Sequence, residues 1–145
     1  QEEVGLRAAK TSAYAIKPDV GIAIDVDFSS DYPGIDKKRV GEESLGKGPV
    51  LHRGANINPV LEKLLIKTAK EKNIPYQLSG SPRITGTDAN VMQITRAGVA
   101  TALVSIPNRY MHTPIEVVSI RDMENAVKLL VSFVTCLSGK VDFTP

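Results

Sequence analysis

Val20-Gly21-Ile22-Ala23-Ile24-Asp25-Val26 is almost wholly apolar, with β-branched residues at alternate positions. This pattern predicts a strand that is covered on both faces. Asp25 interrupts the run near its carboxyl end. Because functional sites of open α/β sheets collect beyond the carboxyl ends of the strands, Asp25 is a candidate site residue.

Outward from this strand, short apolar segments alternate with helical patterns. Further strands are expected at residues 48–52, 76–78, 99–106 and 115–118, and helices at residues 5–16, 58–72, 89–96 and 120–137. This alternation predicts an α/β layer with a predominantly parallel sheet. Pro107-Asn108 is expected to end the strand before it, and residues 27–48 are expected to form a long loop.

Polar residues mark the starts of several helices. Asn58 is the expected N-cap of one helix, with Pro59 at its first position. Asp88 is expected to cap the following helix, and Ser119 with Asp122 resembles a capping box. The last helix is expected to bury one apolar face, which consists of Met123, Ala126, Val127, Leu130, Val131, Val134 and Leu137.

The composition limits the kinds of protein that this chain can be. Its 145 residues suit one domain or part of one, and a net charge of +2 with scattered basic residues argues against a nucleic-acid partner. No apolar run approaches the roughly 20 residues that span a bilayer, so no membrane segment is expected. The single cysteine, Cys136, is expected to be a buried, inert thiol, and one thiol without an internal disulfide fits a cytoplasmic location.

Three separate places in the sequence carry residue types that suit a hydrolytic metal site. Glu2 and Glu3 are adjacent, Asp25 ends an apolar run, and His112 lies in the Arg109-Tyr110-Met111-His112 loop. Carboxylate oxygens and imidazole nitrogens bind divalent metals, and such a site also needs a base for the attacking water. The alternative for Glu2-Glu3 is an acidic start to the next helix. His52 is set aside as a ligand and is expected to make an ordinary polar contact.

The order and spacing of these residues resemble one enzyme family over nearly the whole chain. Residues 1–31 resemble the central segment of the dinuclear metallo-aminopeptidases that assemble into tetrahedral dodecamers, which include glutamyl and leucyl aminopeptidases and are often named endoglucanases. The likeness continues through four further segments: Leu45-Gly46-Lys47-Gly48-Pro49, Thr85-Gly86-Thr87-Asp88-Ala89, Ser105 to His112, and Glu116-Val117-Val118-Ser119. One departure is Ala8, where the family usually has glycine. The resemblance also places the loop of residues 85–89 near the active site, so a role in shaping the substrate cleft is the alternative to capping for Asp88.

The resemblance implies a role for each candidate residue. Glu2 matches the general base of the family, while Glu3, Asp25 and His112 match three of its five metal ligands. The resemblance further implies two divalent metal ions in a complete site, zinc or cobalt, and a three-layer aminopeptidase sandwich with a mixed, largely parallel sheet. The two other ligands of the family precede the Glu-Glu pair, so residues 1–145 are expected to be the C-terminal part of the catalytic domain.

Three hypotheses about function follow from this resemblance. The first is a metal-dependent aminopeptidase that releases N-terminal amino acids from peptides and forms a homo-oligomer. The second is a catalytically incomplete form that retains only the fold and the assembly contacts. The third is a site that is completed by another chain carrying the N-terminal part of the same domain. The preferred N-terminal residue stays open, because Arg83, Arg96 and Arg109 are equal candidates for binding an acidic side chain.

Overall fold

The structure is a computed structural model that describes residues 1–139 and 141–144. In chain order its elements are helix α1 (Arg7–Ile16), strand β1 (Val20–Phe28), helix α2 (Lys37–Val40), strand β2 (Val50–Gly54), helix α3 (Pro59–Glu71), strand β3 (Gln77–Ser81), helix α4 (Ala89–Met92), strand β4 (Ala100–Arg109), strand β5 (Val117–Val118) and helix α5 (Ile120–Cys136). None of the helices in these two ranges is both long and apolar enough to cross a membrane.

The five strands form one mixed sheet in the order β1-β4-β2-β3, with β5 paired to β4. Strands β1 and β4 are parallel, in a register that places Asp25 opposite Ser105. Strand β2 is parallel to β3 and antiparallel to β4, and β5 is antiparallel to β4. Because β1 and β4 run in the same direction, their carboxyl ends lie at the same edge of the sheet.

Helices cover both faces of this sheet, and alternate residues of each strand separate the two layers. On one face, Leu51 and Val104 pack with Leu61 and Leu65 of α3 and with Phe133 of α5. On the other face, a smaller apolar cluster is formed by Ala23, Leu103 and Ala89. Helices α1 and α4 contact each other on this second side. The expected mixed sheet between two helical layers is therefore confirmed.

Strand β1 differs from its expected environment. It pairs with β4 alone among the strands described here, so it lies at the edge of the sheet. Its carboxyl-terminal half is open to solvent on one face, where 64% of the Ile24 surface is exposed. The expectation of a strand covered on both faces is wrong at Ile24 and Phe28, which are exposed, although Val26 between them packs against the core.

Strand β4 also differs, since it continues through Pro107 and Asn108 to Arg109. Strand β2 pairs with β4 only at Val104 and Ser105, and β5 pairs with it only from Asn108 onwards. Pro107 therefore lies between two partners on that side, where a missing backbone N–H costs no ladder hydrogen bond. The extra residues carry the chain further towards the His112 loop.

Helix α5 is amphipathic, but it turns a different face to the core from the one expected. Its buried residues are Asp122, Asn125, Ala126, Leu129 and Phe133. Most of the residues predicted to be buried are instead exposed, namely Met123, Val127, Val131 and Val134. The orientation follows from Asp122, whose carboxylate accepts hydrogen bonds from the backbone N–H groups of Gly46 and Gly48 at 2.6 and 2.8 Å. The thiol of Cys136 at the helix end is exposed, so the prediction of a buried cysteine is wrong.

The helix caps agree with the sequence in two cases out of three. The Asn58 side chain accepts hydrogen bonds from the N–H groups of Val60 and Leu61, with Pro59 at the first position. Ser119 accepts one from Asp122 N–H. Asp88 makes no capping bond, and α4 is a single short turn, so the prediction for Asp88 is wrong.

Candidate functional site

A cleft of about 410 Å³ lies at the edge of the sheet where β1 and β4 end. It contains all four candidate residues together with several polar neighbours from other elements. The acidic residues, the two histidines and one serine of its lining are Glu2, Glu3, Asp25, Asp27, His52, Ser105, His112 and Glu116. The structure therefore brings the three separate parts of the sequence prediction to one place.

Glu2 and Glu3 precede α1 in a tight turn. The carbonyl oxygen of Glu2 accepts hydrogen bonds from the N–H groups of Gly5 and Leu6 at 3.1 and 2.9 Å. Leu6 has a left-handed backbone with φ 57°, and α1 has no acidic residue in its first turn. The reading of Glu2-Glu3 as the acidic start of a helix is therefore wrong, because the turn separates the pair from the helix.

Asp25 and Asp27 lie two residues apart on β1, so both side chains point to the same face of the sheet. Each carboxylate accepts a hydrogen bond from the next backbone N–H, at 2.8 Å in both cases. Burial raises the pKa of Asp27, and the negative charge of Asp25 raises it further. This part of β1 supplies two carboxylates to the cleft, of which the sequence predicted one as a site residue.

His112 lies in the loop that follows β4, in a left-handed conformation with φ 65°. Its ring meets the ring of Phe28 edge to face, with 5.8 Å between the centroids. Its backbone N–H donates to the Glu116 carboxylate at 2.6 Å. Tyr110 in the same loop is also left-handed and packs against Tyr32. A non-glycine residue rarely adopts this backbone conformation, so these contacts hold the loop in one shape.

A two-point ion pair joins the loop that follows β1 to the end of β4. Arg109 donates two hydrogen bonds to the Asp31 carboxylate, at 2.8 and 2.7 Å. Arg109 lowers the pKa of Asp31 to about 2. Two of its N–H groups are held by Asp31 and it does not line the cleft, so Arg109 is a poor candidate for binding an acidic substrate side chain.

The acidic residues of the cleft affect one another. Partial burial raises the pKa of Glu2, and the negative charges of Asp25, Glu3 and Asp88 raise it further. A raised pKa makes a carboxylate a better proton acceptor at neutral pH. Several carboxylates line the cleft, and no lysine or arginine among the described residues does so.

His52, Ser105 and Asp27 form a polar floor that the sequence did not predict as part of a site. His52 Nε2 lies 2.9 Å from Ser105 Oγ and 3.4 Å from Asp27 Oδ2. Burial lowers the pKa of His52 to about 4, so its ring is neutral at neutral pH. One nitrogen contacts both partners, whereas a catalytic triad needs one nitrogen for the serine and the other for the carboxylate. The floor is therefore not a serine-hydrolase triad.

Of the three missed residues, Asp27, Glu116 and His52, the sequence carried a usable signal only for Asp27. Asp27 stands two positions after Asp25, a spacing that places both on one face of a strand. Glu116 lies four residues after His112, in a segment that matched the family, but nothing in that spacing shows that its side chain turns back to the loop. His52 carried no signal beyond its residue type, because its neighbours come from β4 and β1.

The donor chemistry of this cleft fits a divalent metal in part. Glu3, Asp25 and His112 offer carboxylate oxygens and an imidazole nitrogen, the donors that such metals take in proteins. Within residues 1–139 and 141–144, no three His, Cys, Asp or Glu side chains are grouped closely enough to hold a metal ion by themselves. The residues present would thus serve as part of a larger ligand set.

Comparison with known proteins agrees with this fold. The fold is that of aminopeptidases: a TET aminopeptidase from a marine sediment archaeon, Thaumarchaeota archaeon SCGC AB-539-E09, superposes with a TM-score of 0.88 at 36% identity, over 97% of this chain and 39% of that one. The TET1 peptidase of Pyrococcus horikoshii, which can assemble into a tetrahedron or a large octahedral shell, gives a TM-score of 0.70 at 27% identity, over 94% of this chain and 39% of that one.

The chain belongs to the M42 glutamyl aminopeptidase family, whose model matches residues 1–129. It is 52% identical over 145 residues to the lysyl aminopeptidase of Pyrococcus furiosus, a match that covers 100% of this chain and 41% of that protein. The chain therefore spans about two fifths of the length of the relatives that it matches.

Proposed function

We propose that this chain contributes the general base and three metal ligands to an aminopeptidase that releases N-terminal amino acids from peptides. The observation that carries the proposal is the convergence of Glu2, Glu3, Asp25 and His112 on one cleft in a member of the M42 family. In this proposal Glu3, Asp25 and His112 would help to hold two divalent ions, zinc or cobalt. Such ions, when bound, supply a Lewis acid that polarises a carbonyl oxygen.

The residues of this chain have separate roles in the proposed reaction. Glu2, with its raised pKa, accepts a proton from the attacking water and delivers it to the leaving amine. Glu116 and Phe28 fix the backbone and the ring of His112, so that its imidazole is held towards the cleft. The ion pair of Asp31 with Arg109 joins the loop that follows the Asp25 strand to the end of β4, from which the His112 loop begins.

The assembly and location of the whole protein are further parts of the proposal. A homo-oligomer of the tetrahedral type, a dodecamer, is supported by the P. horikoshii TET1 peptidase, which can assemble into a tetrahedron, and by the dodecamer of PhTET1-12s. A part of the same domain that is not in this chain would supply the remaining ligands, in agreement with the share of the relatives that is matched. A cytoplasmic location stays a prediction from the single cysteine.

The experiment is zinc- and cobalt-dependent release of free amino acids from short peptides by this polypeptide. Glu2→Gln should abolish turnover and leave metal affinity largely intact, because it removes a proton acceptor and not a ligand. Glu124→Gln on the exposed side of α5 is the matched control and should behave as the wild type. Near-normal turnover in Glu2→Gln would refute the role of Glu2.

The second candidate is a non-catalytic form that keeps the fold and the assembly contacts. It is favoured by the absence of a three-donor metal cluster within the described ranges. Equilibrium dialysis with zinc separates the two candidates. Stoichiometric metal bound by this chain alone supports the aminopeptidase, whereas no bound metal together with no peptide hydrolysis supports the non-catalytic form.

A further inference from the structure

Helix α5 carries a stripe of apolar residues on its solvent side. Each of them is between 47% and 73% exposed, and they are Ile120, Met123, Val127, Val131 and Val134. Successive members are three or four residues apart, so they lie along one side of the helix. An exposed apolar surface of this kind is typical of a contact with another protein surface.

The stripe has no part in the proposed active site. None of the described residues that line the cleft belongs to α5. The opposite side of the helix is fixed on the core through Ala126, Leu129 and Phe133. The helix therefore presents the stripe to solvent as a preformed surface.

The spacing of the stripe is symmetric about Val127. Met123 and Val131 lie four residues before and after it, and Ile120 and Val134 lie seven residues before and after it. On a helix of 3.6 residues per turn, the members of each pair stand at equal and opposite angles from Val127, about 40° for the first pair and about 20° for the second. A two-fold axis at Val127 would thus place Met123 against Val131 and Ile120 against Val134 of an antiparallel copy. A two-fold interface needs such a self-complementary surface.

The charged residues beside the stripe fit the same arrangement. Glu124 and Lys128 are exposed on one flank of it, one helical turn apart. In the antiparallel pair, Glu124 of one copy lies about 3 Å along the axis from Lys128 of the other, because each residue adds about 1.5 Å. The two Lys128 side chains are neighbours at the axis, and each extends away from the other towards a glutamate. In a parallel pair this flank would instead meet the opposite flank, where Leu130 and Leu137 lie, so charge favours the antiparallel arrangement.

We propose that α5 pairs with α5 of a second copy of this chain, antiparallel and around a two-fold axis at Val127. The proposal rests on the homo-oligomer of the proposed function and not on peptide hydrolysis. A tetrahedral assembly contains two-fold axes, so a contact of this symmetry is compatible with it. The stripe is about 21 Å long. Because such a contact is small, the monomer should predominate in dilute solution.

Disulfide cross-linking of the full chain tests the geometry. In a Cys136→Ser background, Val127→Cys places two thiols at the axis, and oxidation with copper–phenanthroline should give a covalent dimer in concentrated solution. Val134→Cys is the matched control, because its two copies would lie about 21 Å apart along the axis and should not cross-link. Equal cross-linking of both variants would indicate a parallel or random encounter, and cross-linking of neither would indicate no pair. Either result overturns the proposal.

Sedimentation velocity at rising protein concentration tests the contact without a new thiol. The wild type should shift from monomer to dimer, whereas Val127→Glu, which places two negative charges at the axis, should stay monomeric. Ile16→Glu on α1 is the control, because Ile16 is also exposed and lies outside the stripe, so this variant should keep the shift. Glu124→Lys should weaken the dimer roughly 2- to 10-fold, and adding Lys128→Glu should restore it, because the whole charge pattern is then reversed.

The outcomes separate this contact from the proposed function. An oligomer that forms equally well in Val127→Glu overturns the α5 contact and leaves the homo-oligomer in place. A monomer at every concentration overturns the contact and assigns the stripe to a different partner, such as the rest of the same domain. A double variant that stays as weak as Glu124→Lys overturns the antiparallel register. Failure of the aminopeptidase proposal is measured by peptide release, which neither experiment uses.

Discussion

Glu116 supports His112 through the backbone: its Oε1 accepts a hydrogen bond from His112 N–H at 2.6 Å. The other carboxylate oxygen accepts one from Asn108 Nδ2 at 2.7 Å, and Asn108 is buried at the end of β4. One side chain therefore joins the last rigid part of the strand to the loop that carries the imidazole. The left-handed backbone at His112 is held from within its own loop.

We expect Glu116→Ala to release this loop. The amide hydrogen of His112 should exchange faster with solvent, because its acceptor is gone, and zinc affinity should fall roughly 10-fold, as for the loss of other groups that orient metal ligands. Hydrogen exchange followed by NMR and equilibrium dialysis measure the two effects. Glu116→Gln should be milder, since its amide oxygen can still accept from His112. An unchanged exchange rate in Glu116→Ala would show that the loop holds its shape without the carboxylate.

Glu43 should make stability depend on pH. Its pKa is about 7 in the folded chain against an ordinary value of 4.5, so the folded state binds the proton more tightly than the unfolded chain between these values. The free energy of unfolding should therefore fall as pH rises from about 4.5 to about 7, by at most roughly 3 kcal/mol. Urea denaturation of the wild type and Glu43→Gln at about pH 5 and about pH 8 checks this.

In Glu43→Gln the fall in unfolding free energy with rising pH that is due to this carboxyl group should disappear. Glu42→Gln is the matched control, because Glu42 is the adjacent residue but is exposed and pairs with Lys37 on the surface. Equal pH dependence in the two variants would mean that the Glu43 carboxyl titrates at an ordinary pKa.

Asp122 should be important for the stability of the fold. Its carboxylate is completely buried and accepts hydrogen bonds from the N–H groups of Gly46 and Gly48. In Asp122→Asn one of these donors would face an amide hydrogen in place of an oxygen, with an expected loss of roughly 1–3 kcal/mol of unfolding free energy. Urea denaturation measures it, with Asp36→Asn as a surface control. A loss equal to that of the control would contradict the tether between α5 and this loop.

The two faces of α5 should respond differently to truncation. Leu129 is fully buried in the core, so Leu129→Ala should cost roughly 2–5 kcal/mol. Val131 is exposed, and Val131→Ala should change stability by no more than about 0.5 kcal/mol. Urea denaturation at several protein concentrations is the measurement. A concentration-dependent cost for Val131→Ala would show that self-association covers this face in solution.

Gly48 cannot be replaced by a larger residue without strain, because another part of the backbone lies against it. Its backbone has φ +94°, and a Cβ at this position would lie 2.1 Å from the carbonyl oxygen of Pro75. The close approach of the Pro75 backbone therefore explains the second glycine of the family-like segment Leu45-Gly46-Lys47-Gly48-Pro49. The sequence shows the glycine, but the reason for it lies in a contact 27 residues away in the chain.

By itself the sequence determined the order of the strands and of the longer helices and the caps at Asn58 and Ser119. These follow from local rules: the periodicity of apolar residues, the backbone preference of proline and the hydrogen bonding of cap side chains. The short helix α2 was not predicted, because residues 27–48 were expected to form a loop. The four residues that converge on the cleft came from the family resemblance. The motif spacing around Glu2, Asp25 and His112 carried the family resemblance, and the match to the M42 family agrees with it.

Only the tertiary structure decided which surfaces are buried and which polar groups meet. Helix α5 has apolar residues on more than one side, and its orientation depends on the bonds of Asp122 to a distant loop. Asp27 and His52 are ordinary residues in the sequence, and they become the floor of the cleft because β1, β4 and β2 lie side by side. Burial and charge at a site are sums over neighbours from separate parts of the chain, which no local pattern contains.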